Sequence, residues 1–368
     1  MKKTSCIALA VLAIGTAALA QRQSSIVDDD GSIHLSAGET IPYSDLASVE
    51  AKRNFIDLTR GYEKIVAAKP AEWKRKTGET AAAEERRWYD QELYIPWLTR
   101  LREYFPVSVE PRMIAGVQTD VVVPKGGVSN LNRSRVLINL HGGGMIAGAR
   151  YGGQLESIPI ASVEKIRVIT VDYRMAPEHK YPAAEDDVIS VYRELLKTYR
   201  PENIGIYGCS AGAVLTGTIV GKIIASGQPK PGAIGMFGEG LIGSRGLGDS
   251  NYIFSGGKPR WDENGFGYTA GVNMRDRAVY PAGSPDIQRQ FPPSLLISGT
   301  RDPALSITLF THSTLVDLGV EAELHVWEGA PHCSFAQPFV DPRVPESQQA
   351  WRVIAKFFAR NLGRDHAK

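Results

Sequence analysis

The spacing of apolar residues changes once along the chain and divides it into two parts. From Ser44 to Phe105, apolar positions recur every three or four residues, as in Leu46 and Val49 or Phe55 and Leu58, a spacing typical of helices packed on one face. From Val117 onward, short continuous runs of β-branched and aliphatic residues replace that period, a pattern typical of strands covered on both faces. A helical N-terminal segment followed by an α/β domain is therefore predicted.

Predicted strands and helices alternate after Val117. The predicted strands are residues 121–123, 136–140, 168–171, a run from 204, 233–237, 295–298 and 322–327. The predicted helices are residues 183–199, 211–225, 304–318 and 347–362. This alternation predicts a mostly parallel, doubly covered sheet. A Gly- and Pro-rich insertion near 240–290 carries aromatic residues and is too long for a plain connection, so it is predicted to add to a lid.

The first twenty residues differ from the rest of the chain. Lys2 and Lys3 precede an apolar run from Ile7 to Ala18, and Ala18 to Ala20 has the small-x-small pattern of a cleavage site. This arrangement predicts a secretory signal peptide over residues 1–20 and hence a periplasmic or secreted protein. A membrane anchor is the alternative, but the run is shorter than the roughly 20 apolar residues of a spanning helix. No stable membrane anchor is expected.

Composition and charge limit the function classes. With 368 residues, 43% hydrophobic and 22% charged, the chain is long enough for one large enzyme-sized α/β domain. Lys and Arg total 42 against 40 Asp and Glu; removing Lys2 and Lys3 leaves 42 − 2 = 40, so the mature chain is formally neutral. No nucleic-acid partner is expected from this balance. The polar, acidic stretch from Gln21 to Thr40 is predicted to be unstructured.

A Gly-x-Ser-x-Gly pentapeptide joins a predicted strand to a predicted helix. It runs from Gly208 to Gly212, after the apolar run that begins at Ile204. A strand, a sharp turn and a helix in this order hold the central residue in a strained conformation, and the flanking glycines supply the space. Because such pentapeptides also occur in ordinary turns, the assignment depends on the rest of the chain. Ser210 is the candidate nucleophile.

A glycine-rich run from His141 to Gly144 comes directly after the strand predicted at 136–140. Acyl transfer develops negative charge on the substrate carbonyl oxygen, and preorganised backbone N–H groups stabilise that charge. The amides of Gly143, Gly144 and Ala211 are the predicted oxyanion donors. A phosphate-binding loop is the alternative, but the spacing fits neither a Walker loop nor a dinucleotide fingerprint.

A serine becomes an effective nucleophile when a histidine takes its proton and an acid orients that histidine. Asp302 follows the strand predicted at 295–298, and His332 follows the strand predicted at 322–327. The order serine, aspartate, histidine is the one expected of an α/β-hydrolase. Ser210, Asp302 and His332 are therefore the candidate catalytic residues.

These motifs together resemble those of the hormone-sensitive-lipase-like bacterial esterases, a family of the α/β-hydrolase superfamily. The resemblance extends over roughly Val117 to Leu362 and rests on the glycine-rich run, residues 172–184, the serine pentapeptide, and the settings of Asp302 and His332. It implies an α/β-hydrolase fold with a mainly helical cap, and cofactor-independent hydrolysis of carboxylic esters with short acyl chains. Within residues 172–184, two prolines and an arginine are expected to brace the loops beside the nucleophile.

The sequence departs from that family at two positions. Cys209 stands where an aspartate commonly precedes the nucleophile, and Cys333 directly follows His332. The tannase and feruloyl-esterase-like hydrolases have a similar pair, joined as a disulfide, so this resemblance implies a Cys209–Cys333 bridge in an exported protein. Two unrelated buried thiols are the alternative.

The sequence thus predicts a signal peptide at 1–20, an N-terminal segment and helical cap at 21–110, and a catalytic domain at 111–368. The expected activity is that of an exported serine carboxylesterase, which acts through an acyl-enzyme on short-chain or compact esters without cofactor or metal. One alternative is the same chemistry on aromatic-acid esters or lactones. A second is a non-catalytic ligand-binding protein on a hydrolase scaffold, against which retention of all three triad residues argues.

Overall fold

The computed structural model describes residues 22–27, 33–36, 41–68, 80–241, 248–254, 267–334 and 341–364. The predicted signal peptide lies outside the described residues, as do Trp73 of the predicted cap and Trp261 and Phe266 of the insertion.

Ten strands and ten helices form the described structure. The strands are β1 (Arg22–Val27), β2 (Ile33–Ser36), β3 (Val107–Ile114), β4 (Val117–Pro124), β5 (Val136–Leu140), β6 (Arg167–Val171), β7 (Ile204–Cys209), β8 (Ala233–Phe237), β9 (Ser294–Arg301) and β10 (Ala322–Pro331). The helices are α1 (Val49–Ala68), α2 (Ala81–Tyr89), α3 (Ile95–Tyr104), α4 (Tyr151–Glu164), α5 (Ala183–Leu195), α6 (Ala211–Ala225), α7 (Asp249–Phe254), α8 (Pro285–Gln288), α9 (Leu305–Asp317) and α10 (Pro345–Asn361).

Eight strands form one sheet in the order β10-β9-β8-β7-β5-β6-β4-β3. Neighbours from β10 through β6 are parallel, whereas β4 is antiparallel to β6 and β3 is antiparallel to β4. The prediction of a mostly parallel sheet is therefore confirmed, and β5, β7 and β8 are buried along their whole lengths. Because parallel strands point the same way, the loops after β5, β7, β8, β9 and β10 gather at one edge.

Two of the longer elements of this domain, β3 and α4, were not predicted from the sequence. Strand β3 is an edge strand with mostly exposed residues and Pro111 in its interior, so its sequence lacks the apolar alternation of a half-buried strand. Helix α4 has eleven of its fourteen residues buried and contains Pro159. A helix buried on nearly all sides shows little amphipathic period, which is why the apolar spacing did not reveal it.

The prediction that residues 21–40 are unstructured is wrong for two segments. Strands β1 and β2 pair antiparallel, with Ile26 opposite His34 and Val27 opposite Ile33. An antiparallel pair needs only hydrogen bonds between its own backbones, and β-branched residues at these positions favour the extended conformation. A low apolar content therefore did not preclude local strand pairing.

The N-terminal helical prediction is confirmed by α1, α2 and α3, with a π-helical turn at Asp90–Tyr94 joining the last two. Trp88 is buried, Trp97 is partly buried against the core, and Phe105 meets Trp351 of α10 edge-on at a centroid distance of 5.1 Å. The described tryptophans of this segment therefore pack helices together. None of the described helices has the length and apolar character needed to cross a membrane.

The insertion near 240–290 is described in part. It contributes the short helix α7. Tyr268 is buried in the core, where its hydroxyl donates to Glu185 Oε2 and accepts from the Ala184 N–H at 2.8 Å. The aromatic ring of Tyr268 thus braces the start of α5. The lid itself stays a prediction.

Candidate active site

Ser210 lies at the turn between β7 and α6. Its backbone has φ 56° and ψ −122°, a left-handed region that non-glycine residues rarely occupy, so the turn is strained. Added Cβ atoms at Gly208 and Gly212 would lie 2.2 and 1.8 Å from the Leu140 carbonyl oxygen. Only glycine fits at both positions. The turn is further fixed by a 2.8 Å hydrogen bond from the Ser210 N–H to the Phe237 carbonyl.

Asp302 and His332 form a buried pair at the carboxyl ends of β9 and β10. His332 Nδ1 donates to Asp302 Oδ1 at 2.8 Å. The same oxygen accepts from the Ala304 N–H at 2.8 Å, and Oδ2 accepts from Ser298 Oγ at 3.0 Å. These three donors compensate a carboxylate that is fully buried. The hydrogen bond to Nδ1 places the ring lone pair on Nε2, the tautomer that a general base requires.

His332 Nε2 is buried and has no hydrogen-bond partner among the described residues. A buried nitrogen without a partner is costly in a packed structure, and such atoms cluster at functional sites. Since Nδ1 is held by Asp302, Nε2 is the ring atom able to accept a proton. The described part of the site therefore contains an oriented base with its accepting atom unoccupied.

A disulfide joins the two sides of the site. Cys209 and Cys333 are bonded across 124 residues, with their Cα atoms 6.2 Å apart. They are the direct neighbours of Ser210 and His332, so the bond holds the backbones of the candidate nucleophile and base together. The bridge implied by the sequence resemblance is present in the structure.

Gly238, after β8, packs directly against the acid–base pair. An added Cβ there would lie 3.1 Å from Asp302 Oδ2, 3.1 Å from Cys333 Sγ and 3.3 Å from His332 Cε1. The residue has φ +60°, so a side chain at this position would be both crowded and strained. The chain after β8 is therefore part of the wall around the pair.

The glycine-rich loop, residues 141–150 between β5 and α4, lies beside the serine. A Cβ built on Gly142 would be 3.5 Å from Ser210 Cβ. Gly143 and Gly144 have φ 114° and 63°, and the Gly143 carbonyl accepts from Ile146 and Ala147 at 3.0 Å. Ala211 begins α6, so its N–H belongs to a helix N-terminus, where unpaired amide donors favour negative charge. The three predicted oxyanion donors therefore lie on the two segments that meet at Ser210.

Sequence reasoning missed Glu156 of α4, which supports that loop. Its Oε1 accepts from the Gly142 N–H at 2.8 Å and its Oε2 accepts from Asn139 Nδ2 at 2.8 Å. Thr170 Oγ1 in turn donates to Asn139 Oδ1 at 2.8 Å. No motif marks Glu156, because α4 itself was not predicted. Its role becomes visible only where α4 crosses the end of β5.

His141 supports the loop and is not a candidate base. Its ring stacks on Tyr173 at 4.1 Å, the Tyr173 hydroxyl donates to the His141 carbonyl at 2.6 Å, and Nδ1 donates to the Gly142 carbonyl at 2.7 Å. Complete burial lowers the pKa of His141 to about 4, so the ring is neutral near pH 7. It shapes the start of the loop through hydrogen bonds and stacking.

The segment around residues 172–184 braces the site, in agreement with its predicted structural role. Arg174 donates from its backbone N–H and from Nε to the Asp187 carboxylate at 2.9 and 3.0 Å. The Ala176 N–H donates to the Met145 carbonyl of the glycine-rich loop at 2.9 Å. Within the described residues, no group of three or more His, Cys, Asp or Glu is arranged to hold a metal ion.

Comparison with known proteins places this geometry among hydrolases. A family model described as alpha/beta hydrolase fold matches residues 137–336, more than half of the chain. A curated relative, the carboxylesterase/phospholipase LipF of Mycobacterium tuberculosis, is 27% identical over 233 residues, which are 61% of this chain and 61% of that protein. The chain spans 40% to 61% of the length of several curated relatives that it matches.

Solved structures agree over more of the chain. The crystal structure of esterase E25 has a TM-score of 0.71 and 31% identity, covering 89% of this chain and 98% of that one. An esterase from the bacterial hormone-sensitive lipase family has a TM-score of 0.68 and 25% identity, covering 86% and 99%. The chain is thus similar to these esterases over nearly their entire length.

Proposed function

The chain belongs to the alpha/beta hydrolase family, and we propose that it is an exported serine carboxylesterase acting on short or compact esters. Its resemblance to the hormone-sensitive-lipase-like bacterial esterases is confirmed. The observation that carries the proposal is the buried Asp302–His332 pair, whose Nε2 has no partner among the described residues, joined through the Cys209–Cys333 bond to the strained serine turn. This arrangement suits acyl transfer to a hydroxyl nucleophile.

In the proposed mechanism, Ser210 Oγ attacks the ester carbonyl carbon while His332 Nε2 takes the hydroxyl proton. The amides of Gly143, Gly144 and Ala211 stabilise the oxyanion of the tetrahedral intermediate. His332 then gives the proton to the leaving alcohol, which departs as the carbonyl of the acyl-enzyme re-forms. Water, deprotonated by the same nitrogen, releases the carboxylic acid and restores Ser210. Asp302 keeps the ring in the required tautomer throughout.

Contacts of the N-terminal segment support the preference for compact substrates. Arg86 Nε of α2 donates to the Ile146 carbonyl of the glycine-rich loop at 2.5 Å. Tyr43 donates to the Gly329 carbonyl, three residues before His332, at 3.1 Å. The segment therefore contacts the chain on both sides of the site, at the loop after β5 and near the end of β10. A cap at this position limits the space for long acyl chains.

The nature of the nucleophile and base is tested by substitution. Ser210→Ala and His332→Ala are each expected to lower kcat for p-nitrophenyl acetate by several orders of magnitude, with circular dichroism and melting temperature showing a folded protein. The double variant should be no worse than either single one, because the two residues act as a unit. Near-parental rates in folded Ser210→Ala protein would contradict the assignment, and an inactive parent would favour the ligand-binding alternative.

Substrate size is tested with p-nitrophenyl esters of increasing acyl length and with emulsified triglycerides. The value of kcat/KM is expected to be highest for short acyl chains and to fall as the chain lengthens. A steady rise toward emulsified long-chain substrates would refute the compact-substrate proposal while leaving the serine mechanism intact.

Aromatic-acid esters are a second candidate substrate class, favoured by the Cys209–Cys333 disulfide that resembles the pair of the tannase and feruloyl-esterase-like hydrolases. Methyl ferulate and methyl gallate, assayed beside matched aliphatic methyl esters, test it.

Export is supported by the signal-like residues 1–20 and by the disulfide, which persists in oxidising compartments. Mass spectrometry of protein from cell fractions tests export. A mature chain beginning after Ala20, outside the cytoplasm, is the expected result; an uncleaved cytoplasmic chain would contradict it.

A further inference from the structure

Glu239 is a second buried carboxyl at the active site, and the mechanism above does not use it. It follows Gly238 directly, and Gly238 packs against Asp302, His332 and Cys333. The side chain of Glu239 is only 2% exposed. A residue of this type so close to a catalytic acid adds either a charge or a hydrogen-bonding group to the site.

The contacts around Glu239 leave its carboxyl poorly compensated. One hydrogen bond reaches the carboxyl from the Gly240 backbone, while Oε2 is buried without a partner among the described residues. The neighbouring helix α9 contributes the uncharged Thr308, whose Oγ1 donates to the Glu239 carbonyl at 3.3 Å, and the uncharged Thr311, which accepts from Leu241. No cation among the described residues acts on this carboxyl.

An ionised carboxylate in this position would cost several kcal/mol, because one backbone donor cannot replace its lost hydration. The negative charge of Asp302 adds repulsion, since two carboxylates sharing a buried site do not both ionise at neutral pH. Burial first, and Asp302 second, raise the pKa of Glu239 well above its ordinary value. Both effects favour the protonated form of the Glu239 carboxyl.

We propose that Glu239 is a neutral positioning residue whose protonated carboxyl holds the Gly238–Gly240 turn against the Asp302–His332 pair without adding a second negative charge. The proposal rests on the serine esterase function proposed above. In this arrangement Asp302 alone supplies the charge that stabilises protonated His332. Glu239 supplies the acceptor for the Gly240 N–H, and thereby fixes the wall that Gly238 forms around the imidazole.

Two substitutions of Glu239 separate its effect on the position of the turn from the effect of its charge. Glu239→Gln keeps the carbonyl acceptor for Gly240 and stays neutral. Both kcat and the acid limb of the profile of kcat/KM against pH should therefore match those of the parent. Glu239→Ala removes the acceptor, so kcat should fall roughly tenfold through misplacement of the pair, with KM little changed. The acid limb of the pH profile of kcat/KM reports the titration of an essential group in the free enzyme.

Glu164 provides a matched control. Its carboxyl is also buried, both its oxygens lack a partner in the described part of the chain, and burial likewise raises its pKa well above the ordinary value. It lies at the end of α4, where Arg135 is its charged neighbour. Glu164→Gln and Glu164→Ala should change the melting temperature but not kcat or the acid limb.

Infrared spectra give a readout that does not depend on activity. At neutral pH, Glu239→Gln should lose one carboxylic-acid carbonyl band relative to the parent. A lost carboxylate band instead, or an acid limb lowered by roughly one pH unit in Glu239→Gln, would show that Glu239 is charged and overturn the proposal. Equal kcat in the alanine and glutamine variants would overturn the positioning role. If the parent hydrolyses no ester, the proposed function fails, while the infrared result still decides the charge of Glu239.

Discussion

The two sides of the candidate active site are built from different kinds of interaction. On the nucleophile side, Ser210 and the glycine-rich loop are shaped by backbone geometry, with Gly208 and Gly212 pressed against the Leu140 carbonyl. On the acid–base side, Asp302 and His332 come from separate strands and are held by side-chain hydrogen bonds and the disulfide. The first side should therefore fail when atoms are added, and the second when bonds are removed.

Adding one methyl group to the nucleophile side is expected to have the largest effect. In Gly212→Ala the new Cβ would overlap the Leu140 carbonyl oxygen at 1.8 Å, so β7 and β5 must separate or the turn must open. We expect loss of ester hydrolysis by at least about a hundredfold and a lower melting temperature. Gly126→Ala is the matched control, because nothing lies within 4 Å of its added Cβ. Equal activity in the two variants would refute the steric account of the turn.

Removing the disulfide tests the acid–base side. The bond closes a loop across 124 residues, for which chain entropy gives about 5 kcal/mol, an upper figure because native strain and residual structure reduce it. Cys209→Ala with Cys333→Ala, or reduction of the parent, should lower the melting temperature and kcat together, since Ser210 and His332 lose their shared restraint. Thiol titration of denatured mature protein provides the check: two free thiols without reductant would contradict the bridge.

A smaller, pH-dependent effect is expected on the nucleophile side, at His141. Burial lowers its folded pKa to about 4 from 6.5, so between these values the unfolded chain binds the proton more readily. The contribution of His141 to the free energy of unfolding should therefore be fully present above pH 6.5. It should decline by about 3 kcal/mol as the pH falls toward 4.

The contribution of His141 is isolated by His141→Asn, which keeps a donor near Nδ1 but does not titrate. Urea unfolding across pH 4 to 7 should show a shallower decline in the variant, although its stability at pH 7 is lower because the stacking on Tyr173 is lost. Parallel curves for parent and variant would contradict the assignment.

The nucleophile side was also the more predictable from the sequence. Helix α6 begins at Ala211 and ends at Ala225 as predicted, and the strand before the serine ends at Cys209. Both follow from short-range patterns: an apolar run, two glycines and a small-residue helix. By contrast, the strands before Asp302 and His332 were predicted to end at 298 and 327, whereas β9 and β10 continue to Arg301 and Pro331. Elsewhere, α4 and β3 were missed, because a helix buried all round and an exposed edge strand lack the expected periodicity.

The sequence by itself determined the order of the candidate residues Ser210, Asp302 and His332, the glycine-rich loop and the alternation that produces a parallel sheet, because motifs, their order and strand periodicity are read along the chain. Only the tertiary structure decided which side chains meet. The 2.8 Å contact between His332 and Asp302 and the burial of Glu239 beside Asp302 arise where β8, β9 and β10 end together. The support of Gly142 by Glu156 arises where α4 packs beside β5. Such contacts join residues far apart in the chain, and their strength depends on burial that no local pattern encodes.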